Sequence, residues 1–226
     1  MKNSVILLVF TGLALGRVIV VPDSAGTIQA GLGMAGFGDT VLVKPGTYPE
    51  NIVWPSTDGI KLYSVSGPTA TVVDGQYAGT CLVLGSGGLT RETKVRGFTF
   101  KNGYNAGGGA AGVSCAGSAA ISGNRVTRCR GVGVYLSSYS SGFNPLLTGN
   151  EIDGCVKEVE NWNYGGGLYA SAGTGSYPEI CCNYIHHDTL RNSARNYGAG
   201  MFCDADALIY QNTIAANVAC SDTGGN

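Results

Sequence analysis

Charged side chains are scarce in this chain of 226 residues. Asp, Glu, Lys and Arg make up 13% of the sequence, against about 25% in an average globular protein, and the formal net charge is −1. A nearly neutral chain lacks the excess of Lys and Arg on which nucleic-acid binding depends, so we expect no nucleic-acid partner. The low charge also excludes a charge-rich disordered chain.

Long apolar runs are missing as well. Residues 5–15 (VILLVFTGLAL) form a run of 11 residues, where a membrane-spanning helix needs about 20. Lys2 before the run and the small residues Ala14 and Gly16 at its end are typical of a secretory signal peptide. We therefore expect residues 1–16 to be a signal peptide and residues 17–226 to be one exported domain, with no membrane span. A buried N-terminal strand is the alternative interpretation of the run.

Metal-binding spacing is also lacking, since the chain has no CxxC pair. We expect no metal and no cofactor. An even number of cysteines in an exported protein favours disulfide bonds instead, although eight cysteines allow 105 connectivities. The eight are Cys81, Cys115, Cys129, Cys155, Cys181, Cys182, Cys203 and Cys220.

Glycine is abundant, with 37 residues and no triplet period, which excludes collagen and favours β structure with tight turns. A short unit, Asn-x-(Val/Ile), recurs at intervals of 26, 33 and 29 residues, at Asn124, Asn150, Asn183 and Asn212. Before the last three units stand glycine-led strands, at 131–136 (GVGVYL), 165–170 (GGGLYA) and 198–203 (GAGMFC). One such unit cannot bury its apolar side alone, whereas stacked units can. The repeat predicts an all-β parallel β-helix.

The repeated asparagine is expected to form a structural ladder. A tight corner between strands needs a left-handed backbone, which Asn tolerates better than most residues. Its amide can also hydrogen-bond from one coil to the next. Two residues later an inward aliphatic stack is expected, made of Val126, Ile152, Ile185 and Ile214.

The first hundred residues carry a family resemblance. Residues 27–30 (TIQA), 38–48 (GDTVLVKPGTY) and 50–52 (ENI) resemble the opening of right-handed parallel β-helix proteins of the pectin-lyase-like superfamily. Residues 71–75 (TVVDG) and 95–100 (VRGFTF) resemble its next coils. The resemblance implies a right-handed solenoid of about seven coils with a short N-terminal capping helix. Gly31, Gly33 and Gly36 should keep that helix short.

The superfamily contains polysaccharide lyases and polygalacturonases beside surface proteins without known activity, so the resemblance leaves catalysis open. The candidates for acid–base chemistry are Asp204, Asp206, His186 and Asp153. Asp204 and Asp206 also fit a turn that leaves a strand, where Asp is common. Asp153 and His186, three residues after their ladder asparagines, also fit an exposed ion pair between adjacent coils. Calcium enters only if the protein is a lyase.

The best functional signal is a pair of insertions, at 157–163 (KEVENWN) and 186–197 (HHDTLRNSARNY). Insertions in a solenoid tend to lie on one face, which is often the binding face. They should project beside an outward aromatic row, and ordinary loop variation is the alternative. The predicted contact residues are Tyr135, Trp162, Tyr169, Arg191, Arg195, Tyr197 and Phe202.

Two functions follow from these patterns. The first is an exported, non-catalytic module for surface, adhesion or glycan contact. The second is a polysaccharide lyase or glycoside hydrolase that acts on acidic polysaccharides. The predicted partner in both is a polysaccharide or a cell-surface glycan.

The C-terminal end breaks the pattern where another glycine-led strand is due. We expect the domain to be truncated there. The last coil would then expose unpaired backbone groups and apolar core, and such an edge can associate with another chain.

A testable prediction concerns Cys129 and Cys155, which both lie five residues after their ladder asparagine. Adjacent coils are about 4.8 Å apart, within the Cα separation that a disulfide accepts, so we expect these two residues to form a disulfide in the oxidised exported protein. Cys115 and Cys203 share a phase but lie three coils apart, and they should not pair. Peptide mapping under non-reducing conditions checks this, and two free thiols at 129 and 155 would contradict it.

Overall fold

The computed structural model describes residues 16–85, 88–138, 141–159, 162–191 and 195–220. Residues 1–15, which hold most of the predicted signal peptide, lie outside the described residues, and so do residues 221–226. Within the described part, no helix is long and apolar enough to cross a membrane.

The described residues form one short helix and 26 short strands. The helix α1 spans Ile28–Met34. The first thirteen strands are β1 Val18–Val21, β2 Thr40–Val43, β3 Gly46–Tyr48, β4 Ile52–Val53, β5 Lys61–Ser64, β6 Thr71–Asp74, β7 Leu82–Leu84, β8 Lys94–Arg96, β9 Thr99–Lys101, β10 Ala110–Cys115, β11 Ala120–Ser122, β12 Arg125–Thr127 and β13 Val132–Ser138. The remaining strands are β14 Leu146–Thr148, β15 Glu151–Asp153, β16 Val156–Glu158, β17 Trp162–Tyr164, β18 Leu168–Ala172, β19 Glu179–Cys181, β20 Tyr184–His186, β21 Thr189–Arg191, β22 Arg195–Tyr197, β23 Met201–Asp204, β24 Leu208–Tyr210, β25 Thr213–Ala215 and β26 Val218–Ala219.

Successive strands are distributed over three long parallel sheets. Sheet 1 has the order β1-β2-β5-β8-β11-β14-β19-β24, sheet 2 has β3-β6-β9-β12-β15-β20-β25 and sheet 3 has β4-β7-β10-β13-β18-β23. The chain visits sheets 1, 2 and 3 in turn and then starts the next coil. The result is a parallel β-solenoid of about six turns, where the resemblance predicts about seven, and the all-β class is confirmed.

The two predicted insertions add two small parallel sheets between sheets 2 and 3. One has the order β16-β21-β26 and the other pairs β17 with β22. The insertions therefore project side by side, as the repeat predicts.

The coils stack in the register expected from the asparagine repeat. Val126 pairs with Ile152, Ile152 with Ile185, and Ile185 with Ile214. The first three are buried, whereas Ile214 is 49% exposed in the last described coil. The aliphatic stack is confirmed as the core behind sheet 2.

The asparagine ladder is also confirmed, and its geometry repeats at every step. The Oδ1 atoms of Asn124, Asn150, Asn183 and Asn212 accept a hydrogen bond from the backbone N–H one coil earlier, each at 3.0 Å. Each Nδ2 donates to a backbone carbonyl one coil earlier, at 2.8 to 3.1 Å. The first three asparagines are 2% exposed, so their amides satisfy backbone groups that water cannot reach.

The expected reason for asparagine at this corner is wrong. The left-handed backbone belongs to the preceding residue, which is Gly123 (φ +59), Gly149 (φ +62), Cys182 (φ +57) and Gln211 (φ +54) in successive coils. The ladder asparagines themselves are not among the residues with positive φ. Asparagine is therefore required at this position for its amide, not for its backbone conformation.

The helix α1 packs against the first coil, as expected of a cap. The Thr27 side chain accepts a hydrogen bond from the Ala30 N–H, and the Glu50 carboxylate accepts from the N–H groups of Ile28 and Gln29. Gly31 lies so near the first coil that a Cβ there would stand 3.0 Å from a methyl group of Val41. This glycine lowers helix propensity but permits the close approach.

The last described coil is the edge of sheets 1, 2 and 3 at once. Ile209 and Ile214, which continue the core columns of Ile180 and Ile185, are 41% and 49% exposed there. Association through this edge stays a prediction.

A substitution at Asn150 tests the ladder. Asn150→Ala removes the acceptor for the Asn124 backbone and side-chain N–H groups and the donor to the Ile121 carbonyl, all of which are buried. We expect a loss of about 3 kcal/mol in the free energy of unfolding, measured by urea denaturation, because buried partners are left unsatisfied. Asn51→Ala is the matched control, since Asn51 is exposed and donates only longer bonds of 3.2 and 3.4 Å. Equal losses in both variants would contradict the ladder's role.

Candidate functional site

The predicted aromatic row lies on the outer face of sheet 3. Tyr135 pairs with Tyr169 in the strand register, and Tyr169 pairs with Phe202. The rings are stacked, with centroids 4.7 Å and 5.5 Å apart. Residues one position earlier, Val134 and Leu168, point into the core and are fully buried. The alternation of a β-strand thus turns the rings outward.

The insertions add two more rings to this row. Tyr164 of β17 stacks on Tyr197 of β22 at a centroid distance of 5.3 Å. Tyr164 also contacts Phe202 at 4.6 Å and Tyr169 at 6.4 Å. The five rings form one continuous surface, which we call the aromatic cluster: Tyr135, Tyr164, Tyr169, Tyr197 and Phe202.

The other predicted contact residues lie on the same insertions. Arg191 ends β21 and Arg195 begins β22, and both are exposed. Trp162 is the strand partner of Arg195, but its side chain lies outside the described part of the structure. The prediction therefore holds for the placement of the two arginines, while the role of Trp162 remains a prediction.

A cleft of about 610 Å³ opens at the foot of the insertions. We call it the arginine cleft, because three guanidinium-bearing residues, Arg128, Arg130 and Arg191, line it together with Tyr77, Tyr104 and Glu158. The Arg130 guanidinium stands 4.7 Å from the centre of the Tyr77 ring. A cation over an aromatic face is attracted by the ring's quadrupole.

Within the described part of the chain, the arginines of this cleft differ from the other arginines in their ion pairs. Arg17, Arg91 and Arg125 make ion pairs with Asp39, Glu179 and Asp153, at 2.8 Å in each case. Among the described residues, no carboxylate lies within 4.0 Å of the nitrogens of Arg128, Arg130 or Arg191.

Sequence reasoning missed most of the arginine cleft and found only Arg191. Arg128 and Arg130 flank Cys129, which is fully buried, so the two arginines point outward on either side of an inward residue. That alternation was visible in the sequence. Tyr77 and Tyr104 belong to earlier coils outside the asparagine repeat, and no sequence pattern places them here.

Two of the catalytic candidates meet on the outer face of sheet 2. Asp153 is the strand partner of His186. Asp153 is held by Arg125 through two hydrogen bonds of 2.8 and 3.0 Å and by the Thr127 hydroxyl at 3.0 Å. His186 Nε2 lies 3.2 Å from Glu151, whereas Arg125 is 3.7 Å from the same glutamate.

This group is an ion-pair network. Ligand atoms of Glu151, Asp153 and His186 lie within 4.8 Å of one another, but the Arg125 guanidinium occupies both carboxylate oxygens of Asp153. Burial raises the pKa of Asp153, but hydrogen bonds from Arg125 and Thr127 outweigh it and leave the pKa below its usual value. A carboxylate already paired in this way is a poor proton acceptor at neutral pH.

The other two catalytic candidates do not join this network. Asp204 ends β23 on sheet 3, Asp206 follows in the turn, and both are exposed. The four candidates are thus divided between two faces of the solenoid. The structure does not bring them together into one catalytic constellation.

The cysteines of the predicted disulfide face each other in the core. Cys129 and Cys155 are fully buried, and a hydrogen bond with Cys129, together with burial, raises the pKa of the Cys155 thiol well above its usual value. Cys81 also contacts Cys129. All eight cysteines are free thiols in this structure, so the adjacency is as expected while the bond stays a prediction.

Comparison with known proteins adds no relative: no family model, no curated protein and no solved structure matches this chain. The assignment of a function therefore depends on the geometry of the aromatic cluster, the insertions and the arginine cleft.

The ion-pair network makes a prediction about pH. Because the pKa of Asp153 is lowered on folding, its contribution is present above the usual carboxyl pKa of about 4 and is lost as the pH falls through the folded value. Asp153→Asn should lower the free energy of unfolding by about 1 kcal/mol at neutral pH and by less in acid. Urea denaturation across this pH range measures both effects, with the exposed Asp206→Asn as control. An unchanged stability at neutral pH would contradict the network.

Proposed function

We propose that this chain is an exported β-solenoid module of the pectin-lyase-like type whose function is to contact a glycan without cleaving it. The observation that carries the proposal is the aromatic cluster, five contiguous rings on the outer face of sheet 3 and on the insertions beside it. Tyr197, at the rim of the cluster, is 40% exposed. Rings stacked in this way offer apolar edges and partial faces against which sugar rings can pack.

The spacing of the cluster favours an extended ligand. Its members come from three successive coils, and the rings stack at 4.7 and 5.5 Å along the solenoid axis. Ring stacking between the strands also stabilises sheet 3 by about 0.2–1 kcal/mol for each pair. That structural role accounts for Tyr135 and Tyr169, whereas Tyr164 and Tyr197 lie in the small sheet of β17 and β22, outside sheet 3.

The arginine cleft supports an anionic ligand. Arginine presents a planar fork of N–H donors that matches carboxylate and sulfate oxygens. Arg191 belongs both to the second insertion and to the cleft, so it links the two surfaces. An acidic polysaccharide can satisfy both kinds of contact, through its sugar rings and through its charged groups.

Export is part of the proposal and is supported by the signal-peptide pattern of residues 1–16. The absence of catalysis is supported by the separation of Asp153 and His186 on sheet 2 from Asp204 on sheet 3. Among the described residues, neither place combines a free carboxylate with a second acid–base group beside the aromatic cluster.

Three polymers with one backbone test the proposal: neutral dextran, carboxymethyl dextran and dextran sulfate. We expect the charged polymers to bind more tightly than neutral dextran, and Tyr197→Ala to weaken binding about fivefold, equivalent to about 1 kcal/mol. Arg130→Gln should weaken only the charged polymers. Isothermal titration calorimetry measures each affinity.

Two controls keep the test specific. Tyr184→Ala removes a tyrosine of similar exposure, 43%, from sheet 2 and should leave binding unchanged. Release of reducing ends or of unsaturated products from any acidic polysaccharide would replace the proposal with the catalytic alternative. Folded protein that binds none of the three polymers would refute glycan contact.

A further inference from the structure

A second column of side chains runs up the solenoid at the corner after sheet 2. It comprises the residues five positions after the ladder asparagines: Cys129, Cys155, Asp188 and Asn217. All but Asn217 are fully buried. Asp188 is thus a carboxyl group that has no access to water, in a column of otherwise neutral groups.

Asp188 takes the position that an asparagine occupies in the next coil. Asn217 accepts a hydrogen bond from the Asp188 N–H at 2.9 Å through Oδ1, and its Nδ2 donates at 3.0 Å to the Ile185 carbonyl. In the same way, Asp188 Oδ1 accepts from the Cys155 N–H at 2.8 Å. Its second oxygen, Oδ2, has no hydrogen-bond partner among the described residues.

The asparagine ladder indicates what this second oxygen faces. Each ladder Nδ2 donates to a backbone carbonyl three residues before the ladder asparagine of the preceding coil. Asn150 donates in this way to Ile121, three residues before Asn124, and Asn183 donates to Leu147, three residues before Asn150. Asn217 follows the same rule with Ile185. By the same rule, Oδ2 of Asp188 should face the carbonyl of Ile152, three residues before Cys155. A carboxylate oxygen and a carbonyl oxygen are both acceptors, so an ionised Asp188 would place two acceptors against each other with no donor between them.

Among the described residues, the Asp188 carboxyl group makes no ion pair. In the coil before Asp188, the nearby titratable groups are the Cys155 thiol and the Asp153 carboxylate. In its own coil they are the imidazole rings of His186 and His187, whose Nδ1 atoms lie 2.7 Å apart. The coil after it contributes the neutral Asn217, and β18 is preceded by Gly167, whose missing Cβ makes room for Oδ2. Burial, with the nearby Asp153 charge, raises the pKa of Asp188 to about 8.

We propose that Asp188 is held as a neutral carboxylic acid that donates its proton to the Ile152 carbonyl, and that its ionisation loosens the coils carrying the aromatic cluster. The position of Asp188 explains why its ionisation should affect these coils in particular. It immediately precedes β21 of the second insertion, and its Oδ2 packs against the backbone that leads into β18. The stability of the coils that carry the aromatic cluster should therefore depend on pH. This effect does not depend on which ligand the cluster binds.

The sign of the effect follows from linkage. An unfolded Asp ionises near pH 4, whereas folded Asp188 keeps its proton to about pH 8. The folded state therefore binds more protons across this interval, and the folding equilibrium constant falls by up to tenfold for each pH unit. The contribution of Asp188 to stability is therefore greatest in acid and declines as the pH rises towards about 8.

Asp188→Asn tests the proposal, because an amide supplies permanently the donor that the carboxylic acid supplies only when protonated. We measure thermal unfolding of the full chain from about pH 5 to about pH 9. The variant should be more stable than the wild type at neutral pH, with an advantage that grows with pH. The exposed Asp204→Asn should follow the wild-type profile.

A variant that shows the wild-type pH dependence, or that is less stable than the wild type at neutral pH, overturns the proposal. Infrared spectroscopy of the wild type gives a second measurement that does not require the variant to be more stable. At neutral pH the difference spectrum between wild type and Asp188→Asn should contain the carbonyl band of a protonated carboxyl group. A difference spectrum with carboxylate bands alone would equally overturn it.

Discussion

The hydrogen bond between a buried asparagine amide and the backbone of the preceding coil is the interaction on which this solenoid depends. Each tight corner turns a peptide N–H into the protein, where an unpaired donor costs about as much as a lost hydrogen bond. Asn124, Asn150 and Asn183 remove that cost by accepting from the coil before. The same amides donate back to that coil, so each asparagine fixes one coil against its neighbour at two points.

The asparagine hydrogen bonds fix the register between neighbouring coils, and this register determines which side chains form the outer surface. Because a strand alternates its side chains, a slip of one residue would turn Tyr135, Tyr169 and Phe202 into the core and Val134 and Leu168 into water. The ladder prevents the slip, so the rings align coil after coil. The insertions can then vary in length without disturbing the alignment, because β16 pairs with β21 and β17 with β22 outside the three main sheets.

The repeating part of the structure was predictable from the sequence, and the non-repeating part was not. The spacing of Asn124, Asn150, Asn183 and Asn212 was enough to place the aliphatic stack, the aromatic row and the two insertions. It did not reveal that Arg125 would reach diagonally to Asp153 rather than to its direct partner Glu151, because that choice depends on side-chain reach. The arginine cleft was missed since Tyr77 and Tyr104 come from coils without the repeat.

Asp188 is a third case, in which the sequence predicts the position of the residue in the coil but not its chemical role. Counting five residues from each ladder asparagine aligns Asp188 with Asn217. An aspartate at that position would be an ordinary ionised carboxylate if it were exposed to water. Burial changes its role, because a carboxyl group without water or a cation is more stable when neutral. The same count places Cys129 and Cys155, whose thiols are equally buried.

A crystal structure of the protein with a bound acidic oligosaccharide tests the proposed glycan contact. We expect sugar rings along the outer face of sheet 3, in contact with Tyr164 and Tyr197, and an anionic group between Arg130 and Arg191. Density for the sugar on sheet 2, beside Asp153 and His186, would contradict it, and so would an aromatic cluster left without contact to the ligand.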